Sequence, residues 1–320
     1  MKRLCFSMSI IAMLASLPVA QVAAGVLRVA SDESGRRVRV FDGATGSAAS
    51  ADATLMTVQA GTVSADPLGN RVFFIGNQAS AQSLYQLNYT TTNEASPLNL
   101  PATQRITHME WDGSGSARLL GVAIDPSDDS VGFVSIVAGV VTDLGMPTAA
   151  CCVFRIGVSA FRASDDSLFL VGRRSADSED RLFRFTMNPL ALAQVVAIPV
   201  DLRVSELNVN NSGQLVGLAW SEAAAATRAF TTDAALTISL LGSGIGNCCF
   251  VMAGAAAIDA GNNTLATLGP DLGGLQPRPW TFDLATGAIN DGFIAVGGAG
   301  LFFDTTAIVD VSVLFADSFE

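Results

Sequence analysis

Three stretches of this chain can be laid over one another without a gap, and that periodicity constrains the fold more than any other feature of the sequence. Leu55 to Gly76 reads LMTVQAGTVSADPLGNRVFFIG, Cys151 to Gly172 reads CCVFRIGVSAFRASDDSLFLVG, and Cys248 to Gly269 reads CCFVMAGAAAIDAGNNTLATLG. The copies begin 96 and 97 residues apart, with Gly61, Gly157 and Gly254 in one column and Gly76, Gly172 and Gly269 in another. A second kind of unit lies between them. Pro101, Arg105, Ile106, Thr107, Ser114 and Gly115 return 98 residues later as Pro199, Arg203, Val204, Ser205, Ser212 and Gly213. The glycines Gly76, Gly121, Gly172, Gly217 and Gly269 are spaced 45, 51, 45 and 52, so two unit types alternate, each close to 48 residues long. Units of this size bury their apolar faces only by stacking on their neighbours.

Each unit reads as an apolar strand, a polar turn rich in Asp, Asn and Gly, a second apolar strand, a variable loop, and two further strands. Four short strands per 40–50 residues is the period of a β-propeller blade. The 3.6-residue patterning that a helical solenoid needs is missing. The chain is therefore expected to be all-β, a six-bladed propeller of four-stranded blades. Alternation requires an even count, and FDGATG from Phe41 recurs as FDLATG from Phe282, 241 residues or five unit steps later. Val26-Leu27-Arg28-Val29-Ala30-Ser31-Asp32 matches second strands elsewhere, so the first unit lacks its innermost strand. Gly300 to Asp304 is expected to supply it, closing the ring and covering the sheet edge. Residues 25–305 would then form the propeller, and 306–320 a C-terminal tail.

Residues 1–24 have the form of a secretory signal peptide. Lys2 and Arg3 precede the apolar run Leu4 to Ala20, and Val22-Ala23-Ala24 offers a small-x-small cleavage site, so the cut is expected after Ala24 and the address is periplasmic or extracellular. No later stretch of about 18 apolar residues predicts a membrane span. Without the leader the chain holds no lysine, and 16 arginines face 29 carboxylates. That balance repels phosphate backbones and argues against nucleic acid as a partner. A monomer is expected.

The fifth unit resembles the HAF repeat of extracellular bacterial proteins. Asn210, Gly213, Gln214, Val216 and Gly217 match its N-x-x-G-Q-x-V-G stretch, and Arg228-Ala229-Phe230 stands where His-Ala-Phe would be. Val141 to Gly145, VTDLG, is similar to its M-T-D-L-G ending. The resemblance covers two units of six. It implies an exported repeat protein and carries no established activity.

Two groups of residues are candidates for chemistry. The pairs Cys151-Cys152 and Cys248-Cys249 occupy equivalent places, six residues before a strand glycine. In an exported protein they are expected to be oxidised or buried as thiols; a redox or ligand-stacking role is the alternative. Loops two blades apart in a sixfold ring are about 17 Å from each other when each is about 10 Å from the axis, beyond disulfide reach. Each pair is thus expected to close on itself or remain unpaired. The second group is His108 and Glu110 on the innermost strand of the third unit, with Glu206 and Asn208 in the matching places of the fifth. Strand alternation puts each pair on one face, towards a central channel. Oxygen ligands at such a place suit calcium, so a calcium-dependent hydrolase or lyase is one reading; hydrated channel side chains are the other. A single histidine excludes multi-histidine zinc sites, and no G-x-S-x-G accompanies it. Asp125 to Asp129, Asp165-Asp166 and Asp177 to Asp180 lack calcium-loop spacing and read as solvated turns, with Arg173 and Arg174 as ion-pair partners of the acidic loop beside them. The favoured reading is a non-catalytic binding or structural module.

Overall fold

The computed structural model describes residues 26–31, 38–42, 48–51, 57–59, 62–66, 69, 71–78, 81–88, 96–98, 100–101, 103–113, 117–128, 130–146, 152–174, 179–246, 256–259, 263–270, 277–291 and 306–310. Apart from one 3-10 turn, Ala163–Asp165, every regular element among them is a strand. Hydrogen bonding sorts the strands into antiparallel sheets that follow one another along the chain. In the third, Arg105–Asp112, Arg118–Ile124, Val131–Val137 and Val140–Gly145 pair in order. The fourth holds Val153–Arg162, Ser167–Arg173, Arg181–Met187 and Leu190–Ala197, and the fifth Leu202–Val209, Leu215–Ser221, Ala226–Thr232 and Ile238–Leu240. The sixth holds Ala256–Asp259, Thr264–Pro270, Pro277–Asp283 and Ile289–Asp291. In the second, the first strand is split into Thr57–Val58 and Ser64–Asp66, both paired with Arg71–Gln78, and Ala81–Asn88 and Ser96–Leu98 follow.

The first strand of each of these sheets lies against the first strand of the next, from Ser64–Asp66 through to Ala256–Asp259. This is a β-propeller with four-stranded antiparallel blades. Burial follows from the stacking. The second strand Ser167–Arg173 is buried at six of its seven positions, because neighbouring sheets cover both faces. The outermost strand Val140–Gly145 has no buried position, because only one face meets a neighbour. Between the third and fourth sheets the seam is filled by Phe133, Phe154, Phe183 and Phe185 with Leu120, Leu168 and Leu170. The Phe133 and Phe185 rings lie 4.7 Å apart, and Phe154 meets Phe183 edge-on at 5.6 Å.

The two unit types differ in how their inner strands break. In the second and fourth sheets the pairing is interrupted widely: Val58 faces Gly76 but Ser64 faces Phe73, and Phe154 faces Gly172 but Ser159 faces Leu170. In the third and fifth sheets one residue bulges, Thr107 and Ser205 respectively. The Ser205 hydroxyl donates to the Leu218 carbonyl of the strand alongside at 3.3 Å, and the Thr107 oxygen lies 3.2 Å from the Val122 carbonyl oxygen. The bulge throws the next carbonyl over the second strand and explains a glycine column of the sequence. A Cβ at Gly121 would lie 2.8 Å from the His108 carbonyl oxygen, and one at Gly217 only 1.9 Å from that of Glu206.

One expectation is corrected. The strand that pairs with Val26–Ser31 is Thr306–Asp310, not Gly300–Asp304, which lies outside the described residues. Thr306, Ile308 and Val309 are β-branched, whereas the earlier run begins on glycine, the weaker strand former. Residues assigned to a tail thus contribute a paired strand. Residues 1–24, expected to be a leader, also lie outside the described residues.

Candidate functional site

The inner strands of the third, fourth and fifth sheets are tied together by side chains that reach one unit forward. His108 is buried. Its Nε2–H donates to the Arg155 carbonyl oxygen at 2.7 Å, and its Nδ1 lies 2.9 Å from the Thr107 hydroxyl. A carbonyl only accepts, so the proton sits on Nε2 and Nδ1 accepts from Thr107. Burial lowers the imidazole pKa to about 4, against a smaller opposing contribution from the Arg155 hydrogen bond. Arg155 then reaches forward itself, Nη1 donating to the Val204 carbonyl at 3.1 Å, while Nη2 meets the Asp180 carboxylate at 2.5 Å. One sheet back, Gln59 donates to the Ile106 carbonyl at 2.7 Å. The offsets are 47 residues from Gln59 to Ile106, 47 from His108 to Arg155 and 49 from Arg155 to Val204. Each is one unit step.

Glu110 is half-buried by area. It accepts a hydrogen bond from the Ser159 hydroxyl of the fourth inner strand at 2.6 Å. Its surroundings are dense enough that burial raises the carboxyl pKa to about 7, and the Ser159 bond opposes this only in part. Glu206 is 2% exposed. Asn208, in the place equivalent to Glu110, is half-buried, and its Nδ2 is a buried donor without a hydrogen-bond partner. His108 and Glu110 are thus drawn together onto the seam between the third and fourth sheets. Glu206 and Asn208 sit on the fifth inner strand. Among the described residues no three His, Cys, Asp or Glu side chains gather closely enough to hold a metal ion, so the calcium reading draws no support from them.

Of the cysteines, Cys152 is 2% exposed, sits in the phenylalanine seam and has a φ of +77°. That left-handed backbone is unusual for a non-glycine residue. Cys151, Cys248 and Cys249 lie outside the described residues. Among the acidic turns, Asp125 and Asp128 accept from backbone amides two residues on, as turn residues do. Asp180 departs from the solvated-turn reading: it is 6% exposed and clamped by Arg155 and by Arg173 Nε at 2.7 Å. Sequence reading also passed over Arg155 and Ser159. The signal for Ser159 was present, since Glu110, Ser159 and Asn208 stand at successive steps of 49 residues.

No protein-family model matches the chain, and no curated protein does. Solved structures do. A putative 6-phosphogluconolactonase from Bacteroides uniformis superposes with a TM-score of 0.51 at 14% identity, covering 84% of this chain and 82% of that one. A β-propeller domain from Myceliophteria thermophila gives 0.53 at 12% identity, over 82% and 84%. A puromycin hydrolase gives 0.53 at 14% identity over 83% of this chain, which spans 45% of that one. At such identities these likenesses show the propeller fold and nothing more.

Proposed function

We propose that this chain is an exported six-bladed β-propeller acting as a binding or structural module, its ligand-facing wall formed by the polar positions of the inner strands. Support for six blades comes from six hydrogen-bonded sheets and from Thr306–Asp310, which pairs with Val26–Ser31 and touches both Ala256–Asp259 and Ser64–Asp66. Support for export comes from the leader; N-terminal sequencing of envelope or medium protein should begin at Gly25, and an intact Met1 would refute it. An oxidising compartment also suits a disulfide at the buried Cys152. Non-reducing peptide mapping should find it joined to Cys151; a peptide joined to Cys248 or Cys249 would overturn the local ring.

The observation that carries the binding reading is the Asn208 amide. A buried donor left without an acceptor costs about 1–3 kcal/mol, and an incoming oxygen removes that cost. Excess negative charge across the chain favours a neutral or cationic ligand. Wild-type protein and Asn208→Leu should be compared on glycan and basic-peptide arrays. Binding that the substitution removes is the expected result; binding that survives it, or none at all, defeats the assignment.

A further inference from the structure

Away from the polar wall of the inner strands, an open cleft lies between the second and third sheets, at the end of the ring where first strands turn into second strands. Its floor is apolar and includes Phe73, Leu98, Trp111 and Leu119. Phe73 and Trp111 stack at 5.5 Å, and the Arg71 guanidinium lies 5.4 Å from one ring and 5.7 Å from the other. The Ala138-Gly139 turn forms one lip, flanked by Val137 and Val140, which are 47% and 66% exposed. Two polar side chains also line the cleft. Arg71 gives Nε and Nη2 to Asp66, leaving Nη1 without a partner among the described residues, and the Gln86 amide has none there either. The Arg71–Asp66 pair carries no net charge. A fitting occupant is mainly apolar and brings an acceptor for Arg71.

The chain carries such a segment close by. Asp310 faces Val26, the start of a second strand, just as Asp66 faces Arg71 and Asp112 faces Arg118. The chain therefore leaves Asp310 at the end of the ring that holds the cleft. Thr306–Asp310 also touches Ser64–Asp66, whose Asp66 holds Arg71. Residues 311–320 follow, outside the described residues, and read VSVLFADSFE: six uncharged positions, then Asp317 and Glu320, and no basic group. We propose that this segment is the occupant of the cleft, with Phe315 on the apolar floor and the Asp317 carboxylate accepting from Arg71 Nη1. Length permits it. At about 3.3 Å per extended residue, Phe315 can stand about 17 Å from Asp310, more than three strand spacings of about 4.8 Å. Residues 315 and 317 share one face of an extended segment, so both can address the cleft together. A tethered segment meets its site at an effective concentration on the order of 1 mM, which favours it over a second copy of the chain. Docked there, it straps the closing strand to the seam beyond its neighbour and extends ring closure past the five paired residues of Thr306–Asp310.

The test uses the full chain with p-benzoylphenylalanine in place of Phe315, photolysed and mapped by mass spectrometry. Cross-links within one chain to Leu98, Ala117 or Ala138 are expected. Cross-links between two copies, cross-links elsewhere on the ring, or none at all overturn the assignment. A second readout is the rate at which chymotrypsin cuts after Phe315 in the folded chain. Leu98→Glu sets a charge against the apolar floor and should speed that cut at least about 10-fold, and Asp317→Asn about 3-fold, with circular dichroism confirming the fold. Equal rates in wild type and both variants refute docking. Should Leu98→Glu fail to fold, the cross-link map decides alone. No outcome here bears on the array test of Asn208, so the two readings fail separately.

Discussion

Between the third and fourth sheets the inner strands share two side-chain hydrogen bonds, His108 to the Arg155 carbonyl and Ser159 to Glu110, over an aromatic seam. Between the fifth and sixth, the equivalent positions hold different chemistry. Glu206 brings acceptors where His108 brings a donor. Ala256 stands where Ser159 would be, and the seam is lined by Ala229, Ala256, Ile258 and Trp280. Asn208 Nδ2, on the fifth inner strand, is a buried donor without a hydrogen-bond partner. The same backbone plan thus carries side-chain hydrogen bonds at one seam and small apolar side chains at the matching positions of the other. Directional bonds fix register, whereas apolar contact fixes mainly separation.

Four measurements break or sharpen this contrast. Phe154→Ala empties the centre of the aromatic seam, where Phe154 contacts Phe133, Phe183 and Phe185, and should cost about 4 kcal/mol in chemical denaturation. A loss below about 1 kcal/mol would mean that the aromatic seam does not hold those sheets together. Asp180→Ala leaves Arg155 and Arg173 without their shared carboxylate and should cost on the order of 3 kcal/mol, discounted for their partial exposure. If Asp180→Ala matches wild type, the clamp is incidental.

The third measurement is the pH dependence of the denaturant midpoint. Glu110 is raised to about 7 from 4.5, so its contribution is full below pH 4.5 and is lost as pH rises to 7. His108 is lowered to about 4 from 6.5, so its contribution is full above pH 6.5 and is lost as pH falls to 4. Between about 4.5 and 6.5 the two slopes oppose. Glu110→Gln should therefore show stability rising with pH across that window, and His108→Gln should show it falling. Identical slopes in both variants would detach these groups from the seam. The smallest effect is expected of Ala256→Ser, which gives Asn208 an oxygen and should add about 1 kcal/mol. A destabilised variant would mean that Ala256 and Asn208 do not face each other.

The alternation of units and the strand–turn–strand plan were legible in residues, because a glycine column such as Gly121 and Gly217 records a backbone approach that tolerates no side chain. The bulges at Thr107 and Ser205 that cause this approach left no independent trace, since hydroxyl residues are common in strands for other reasons. Thr306–Asp310 was missed because an edge segment has only one neighbour to reveal it. At the site, rarity misled: a single histidine drew the eye, yet burial has neutralised it. Ser159 was overlooked because serine is ordinary, and only its spacing from Glu110 and Asn208 marks it out.

The forward-reaching bonds of Gln59, His108 and Arg155 all end on main-chain carbonyls. A carbonyl is present whatever residue occupies the receiving position. A duplicated unit can therefore dock on its neighbour before any matching side chain has arisen, and afterwards each copy is free to drift at the surface it presents. A ring assembled this way grows by copying and specialises by substitution, with the joints surviving both.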